Sequence, residues 1–141
     1  MSLKNFALAT EPKIAIPATT ASTTTNGTAI DLTTFKGNPR DIGFTAMASN
    51  LGGGTVAFKI QSSPDNSTWT DVTGGASANV TVNVPVALSV GDARVGRYVR
   101  LVAVLAGATS AVFSAFAHGY DLAEEPPAGF VSGTNYVVVG G

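Results

Sequence analysis

The chain of 141 residues contains no cysteine. That excludes disulfide staples, thiolate metal sites and a cysteine nucleophile. Charge is scarce as well. Charged residues make up 12% of the chain, about half the roughly 25% of an ordinary soluble domain. A surface so poorly supplied with charge is expected to be covered in part by copies of itself or by a partner. The eight Lys and Arg are scattered and the net charge is −1. A phosphate backbone calls for a basic patch, so nucleic acid is not expected as a direct ligand. No run approaches the roughly 18 apolar residues of a membrane span, and no membrane partner is expected. Met1 to Ala9 carries one Lys and lacks the apolar stretch of a signal peptide. The expectation is a protein made in the cytoplasm without a secretion signal of its own.

Hydrophobic residues make up 45% of the chain, enough for one domain with one core. Thr, Val, Ser, Ala and Gly dominate, while the residues that fill surface helices are sparse. Apolar residues recur with period two between Gly, Pro, Asn and Asp clusters, the pattern of strands and turns. Residues 1–18 hold Pro12 and Pro17 and read as an extended arm. Thr19 to Leu32 is Thr-rich and broken by Asn26-Gly27, a good hairpin turn. Asp41 to Ser49 reads as a strand with Ile42, Phe44 and Ala46 on one face.

Val56, Phe58 and Ile60 alternate with Lys59 and Gln61. Pro64-Asp65-Asn66-Ser67 has the composition of a type I turn, and the chain returns through Trp69 and Val72 as a hairpin. Val80, Val82 and Val84 predict a further strand, followed by a polar loop from Ser89 to Gly96. Arg97 to Leu105 is apolar on both faces. Val99, Leu101, Ala103 and Leu105 take one face; Tyr98, Arg100, Val102 and Val104 take the other. Ser110 to Gly119 likewise places Val112, Phe113 and Phe116 on both faces. Glu124-Glu125-Pro126-Pro127 ends the domain. A second arm finishes in Tyr136-Val137-Val138-Val139, a segment that must pair as a strand, in this subunit or on a neighbour.

The expected fold is an all-β antiparallel sandwich, with jelly-roll or Greek-key connections, over residues 19–123. Extended arms flank it at 1–18 and 124–141.

Signals of catalysis are few. His118 is the single histidine, and no Gly-x-Ser-x-Gly elbow accompanies it. It reads as a strand-end histidine with a hydrogen bond. Nine carboxylates are spread along the chain with no spacing that favours a paired acid and base. Asp65, Asn66 and Asp71 could offer oxygen ligands to Ca²⁺. The turn needs Asp and Asn for its own hydrogen bonds, which accounts for them. No metal, cofactor or catalytic residue is expected. Trp69 could stack on a sugar ring as a ligand platform, though packing beside Phe58 and Val72 is the favoured expectation.

The stretch Phe58-Lys59-Ile60-Gln61-Ser62-Ser63-Pro64-Asp65-Asn66-Ser67-Thr68-Trp69-Thr70-Asp71-Val72 resembles a hairpin of tailed-phage virion proteins. The resembling pattern is an aromatic-x-Ile/Leu-Gln strand, a Ser-x-Asp turn and Trp-x-Asp-Val. The flanks, Thr25-Asn26-Gly27-Thr28-Ala29-Ile30-Asp31-Leu32 and Arg97-Tyr98-Val99-Arg100-Leu101, are similar too, so the resemblance covers about residues 20–120. It implies a β-sandwich on a capsid surface, a head decoration (cement) protein that binds the major capsid protein, often as a trimer, and it brings no catalytic residues. The expected interface comprises Tyr98, Val102, Val104, Phe113, Phe130, Tyr136, Val137, Val138 and Val139. Two alternatives remain open: a carbohydrate-binding module of a virion fibre or tail using Trp69, and a head–tail connector or tail-tube component.

Overall fold

A computed structural model describes residues 12–34, 41–91, 96–120 and 136–139, with the backbone alone for Asp41, Tyr120 and 136–139. Ten strands are described: β1 (Pro12–Ala21), β2 (Thr25–Asn26), β3 (Ile30–Asp31), β4 (Asp41–Asn50), β5 (Thr55–Ser63), β6 (Thr70–Ala76), β7 (Val86–Gly91), β8 (Tyr98–Ala106), β9 (Ala111–Tyr120) and β10 (Tyr136–Val139). One 3₁₀ turn, Leu32–Thr34, follows β3. The strands form an all-β sandwich of two five-stranded sheets. Sheet A has the order β1-β9-β4-β7-β10, and sheet B the order β2-β8-β5-β6 with β3 also on β8. All pairs are antiparallel except β7 with β10. The pairs β1·β9, β2/β3·β8, β4·β7 and β5·β6 nest, each enclosing the next along the chain.

Alternation fills the space between the sheets. From sheet A come Ile42, Phe44, Ala46 and Ala48 on β4, Leu88 and Val90 on β7, and Phe113, Ala115 and Ala117 on β9. From sheet B come Val56, Phe58 and Ile60 on β5 and Val99, Leu101 and Ala103 on β8. The Phe58 and Phe113 rings meet edge to face across the core, with centroids 6.3 Å apart and planes at 74°. Such a pair contributes about 0.5–1.5 kcal/mol beyond its buried area.

The hairpin read at Val56 to Val72 is present, joining β5 to β6 with a bulge between Lys59 and Gln61. Its turn departs from plain type I, since Asn66 adopts φ 61°. The Asp65 carboxylate organises it, accepting hydrogen bonds from the Ser67 and Thr68 amides, both at 2.9 Å, and from the Ser63 hydroxyl at 3.0 Å. These three donors favour the ionised form and hold Asp65 well below the ordinary carboxylate value.

Three segments differ from the sequence-based expectations. Residues 12–18, read as arm, form the first part of β1. Their prolines are tolerated because β1 is an edge strand, irregular between Ile14 and Ile16 and again between Ile16 and Thr19. The predicted strand at Val80–Val84 is a crossing between the sheets. The Val80 amide bonds the Val56 carbonyl, the Asn83 amide bonds the Ala48 carbonyl, and Asn83 has φ 60°. The strand comes next, at Val86–Gly91, where a polar loop from Ser89 was expected.

Asn26-Gly27 makes no hairpin turn. Gly27 instead lies where the sheets meet, its amide bonding the Leu101 carbonyl of sheet B at 2.7 Å while the Thr28 amide bonds the Ala15 carbonyl of sheet A at 2.8 Å. A Cβ at Gly27 would collide with both carbonyl oxygens. The boundary near residue 124 lies outside the described residues, as do the Lys36–Pro39 loop and Phe130.

Candidate functional site

The molecule presents two broad surfaces, the outer faces of its sheets. Strand parity decides what each carries. On β8 the outward row is Tyr98, Arg100, Val102 and Val104; on β5, paired to it, Ser63 faces Tyr98, Gln61 faces Arg100, Lys59 faces Val102 and Ala57 faces Val104. Long polar side chains on neighbouring strands are therefore close enough to bond.

They do so in series. Lys59 Nζ donates to Asp71 Oδ2 at 3.0 Å, Gln61 Nε2 donates to Asp71 Oδ1 at 2.7 Å, and Arg100 Nε donates to Gln61 Oε1 at 2.8 Å. The Arg100 guanidinium carbon then sits 4.3 Å from the centroid of the Trp69 ring, a cation–π stack. Hydrogen bonds from Gln61 first, then Lys59, pull the Asp71 carboxyl below its ordinary value. Partial burial lowers Arg100. A second charged pair closes the end of this face. Arg97 reaches Asp31 through Nε at 3.1 Å and Nη2 at 2.8 Å, and its guanidinium lies 5.2 Å from the Tyr98 ring centroid. The bidentate Arg97 bonds hold Asp31 well below the ordinary range.

Sheet A's outer face is different in kind. Its outward row on β9 is Val112, Ser114, Phe116 and His118, beside Thr45 and Met47 on β4 and Ile14 on β1. Ile14, Phe116 and Thr45 stand in one line across three strands. Three large apolar side chains on this face are open to solvent: Ile14 at 57%, Phe116 at 49% and Met47 at 38% exposure. His118, half-buried at the end of the row, has its pKa lowered by burial.

The residues singled out from sequence fall into four groups. Tyr98, Val102 and Val104 do lie on the outward row of β8. Val102 is nonetheless buried, flanked in register by Asn26 and Lys59. Phe113 belongs to the core, because Ala111, Phe113, Ala115 and Ala117 form the inward parity of β9 and Phe116 falls on the outward one. Tyr136, Val137, Val138 and Val139 form β10, paired parallel with β7 from Tyr136 at Ala87 to Val139 at Val90. Trp69 lies half-buried outside the core cluster, stacked on Arg100, while Val72 packs against that cluster.

Sequence reasoning missed Ile14 and Met47 as surface groups, and it missed the Lys59–Asp71–Gln61–Arg100 series. The available signal was register: once β5, β6 and β8 are aligned, these side chains become neighbours. The carboxylates weighed as Ca²⁺ ligands are committed elsewhere, Asp65 to its turn and Asp71 to Lys59 and Gln61.

No family model and no curated protein matches the chain. Among solved structures it is similar to the PBSX exported protein XepA, with a TM-score of 0.60 and 19% identity over 91% of this chain. It spans 45% of the length of XepA. A second similar structure is the SPBc2 prophage-derived protein YomS, with a TM-score of 0.49 and 11% identity over 78% of this chain and 93% of that one.

Proposed function

We propose that the chain is a structural virion protein of a tailed phage, a decoration protein that binds the major capsid protein on the outside of the head shell and assembles with copies of itself, most simply as a trimer. The nested strand order supports a jelly-roll reading of the sandwich. The observation that carries the reading is the exposed group of Ile14, Phe116 and Met47 on sheet A's outer face. An apolar patch on a charge-poor protein is stabilised by covering it. Three side chains do not supply the roughly 800 Å² per partner of a stable interface, so the contact extends along β1, β9 and β4.

The hairpin resemblance and the fold shared with XepA support a phage origin. The work done is mechanical and not catalytic: area buried at each site and repeated by symmetry resists pressure from packaged DNA. Light scattering after gel filtration should give a trimer, and the protein should co-sediment with empty head shells. Phe116→Ser should weaken both, self-association by about tenfold or more, without unfolding the chain. A variant that assembles and decorates normally would remove this face from the mechanism. A ring-sized oligomer would replace the decoration reading with a connector or tube.

A second reading has its own observation. Trp69 lies outside the core, beside the polar series of Gln61, Asp71 and Arg100, as in a carbohydrate-binding platform of a fibre or tail. A glycan array with hits lost in Trp69→Ala would favour it; an array without hits would count against it.

A further inference from the structure

β10 is unlike the other strands of sheet A. It is four residues long, it makes the single parallel pairing among the described strands, and it lies on the free edge of β7. Parallel pairing is slightly weaker per residue than antiparallel. Fifteen residues separate Tyr120 at the end of β9 from Tyr136 at the start of β10 (136 − 120 − 1).

The distance to be bridged is short. Tyr120 is level with Asp41, and Asp41 with Gly91, whereas Tyr136 is level with Ala87. Three strand spacings across and four residues back come to about 20 Å. Fifteen residues can reach about 50 Å. The connection is longer than the span within one copy requires, so its length does not tie β10 to its own β7.

The slot itself demands an occupant. β7 is bonded to β4 on one side. Without β10 its other side would be a bare edge of the apolar strand Val86-Ala87-Leu88-Ser89-Val90, a template for uncontrolled pairing. β10 also lies close to β6, the edge strand of sheet B, and so closes one side of the sandwich. A β10 from a second copy would make the same backbone bonds in the same register. The two arrangements then differ only in tether and local concentration. Crowding copies on a shell or in an oligomer favours exchange.

We infer that the β7 edge is the acceptor for β10 of a second copy of this chain, and that the strand is exchanged between subunits on assembly. This rests on the assembly reading above and names the contact that locks it.

The absence of cysteine makes the test clean, since introduced thiols are the only ones present. Full-length Ala87→Cys and Tyr136→Cys chains, carrying different tags, are co-expressed, purified and mildly oxidised. Exchange predicts a disulfide-linked heterodimer on a non-reducing gel, involving about half of the Ala87→Cys chains if partners are drawn at random. A bond that forms only within a single chain carrying both Ala87→Cys and Tyr136→Cys, made as the second format, overturns the inference. So does the absence of any bond in either format. A second register pair, Ser89→Cys with Val138→Cys, guards against a structural effect of losing Tyr136. Light scattering on the same samples separates the two ideas. An oligomer without the heterodimer ends exchange and leaves assembly standing, whereas a monomer that ignores head shells ends both.

Discussion

The outer faces of the two sheets are built from similar strands and finished in opposite ways. Sheet B's face is a closed series of polar contacts, in which Lys59, Asp71, Gln61, Arg100 and Trp69 each satisfy the next. Sheet A's face leaves Ile14, Met47 and Phe116 in water. Among the described residues, Asp31, Lys59, Asp71, Arg97 and Arg100 all lie on or beside sheet B's outer face. The lesson is that low overall charge has a geography here. One surface is filled by its own polar contacts, and the other leaves large apolar side chains exposed, which the proposed assembly would cover.

The comparison can be broken most forcefully on β9, where Phe113 and Phe116 differ only in parity. Phe113→Ala should cost about 3–5 kcal/mol in denaturant unfolding, because it opens a cavity in the core. Phe116→Ser should change monomer stability by no more than about 0.5 kcal/mol. Its self-association should weaken tenfold or more, about 1.4 kcal/mol, in sedimentation equilibrium. Equal effects of the two substitutions on stability would end the distinction between finished and unfinished faces.

On sheet B the sharper experiment is a double-mutant cycle on Trp69→Ala and Arg100→Ala, followed by urea unfolding. Their coupling should be about 0.5–1 kcal/mol, with no effect on the oligomer. A loss of oligomer in either single variant would make this face an interface as well.

The smallest effects come from pH. Asp31, Asp65 and Asp71 are all depressed in the folded state. The unfolded chain therefore binds protons first, and stability present above the ordinary value of 3.8 is lost as pH falls below it. Thermal melts should show this loss, and Asp71→Asn should reduce it. On sheet A the described titrating side chain of the outward row is His118, a base whose pKa burial lowers. It contributes a slight loss as pH falls below 6.5, which His118→Gln should remove.

Much of the sandwich was legible because strand parity is a local property. Val56, Phe58 and Ile60 announced β5, and Val99, Leu101 and Ala103 announced the inner face of β8; both sets are core. The illegible parts depended on what lies across space. β1 contains two prolines that only an edge position tolerates, and edges are a property of the sheet. Val80–Val84 alternates like a strand, but its amides are taken by the carbonyls of Val56 and Ala48 in different sheets. The assignment of Phe113 to an interface failed because inward positions on β9 are mostly alanine, so aromatic size was a poor guide to the side that faces in. Of the candidate site residues, the outward placement of Tyr98 and Val104 was readable from β8 alone. The Lys59–Asp71–Gln61–Arg100 series needed the registers of three strands.

The nested pairing also has a consequence in time. The innermost pair joins Gln61 to Asp71, ten residues apart, whereas the outermost joins Pro12 to His118, over a hundred residues apart. A chain emerging from the ribosome can form the inner hairpin early, but β1 must wait until β9 has been made. With so many distant contacts, folding belongs to the slow millisecond-to-second class. During that wait β1, with its exposed Ile14, is the segment most available to a chaperone or to a neighbouring nascent chain.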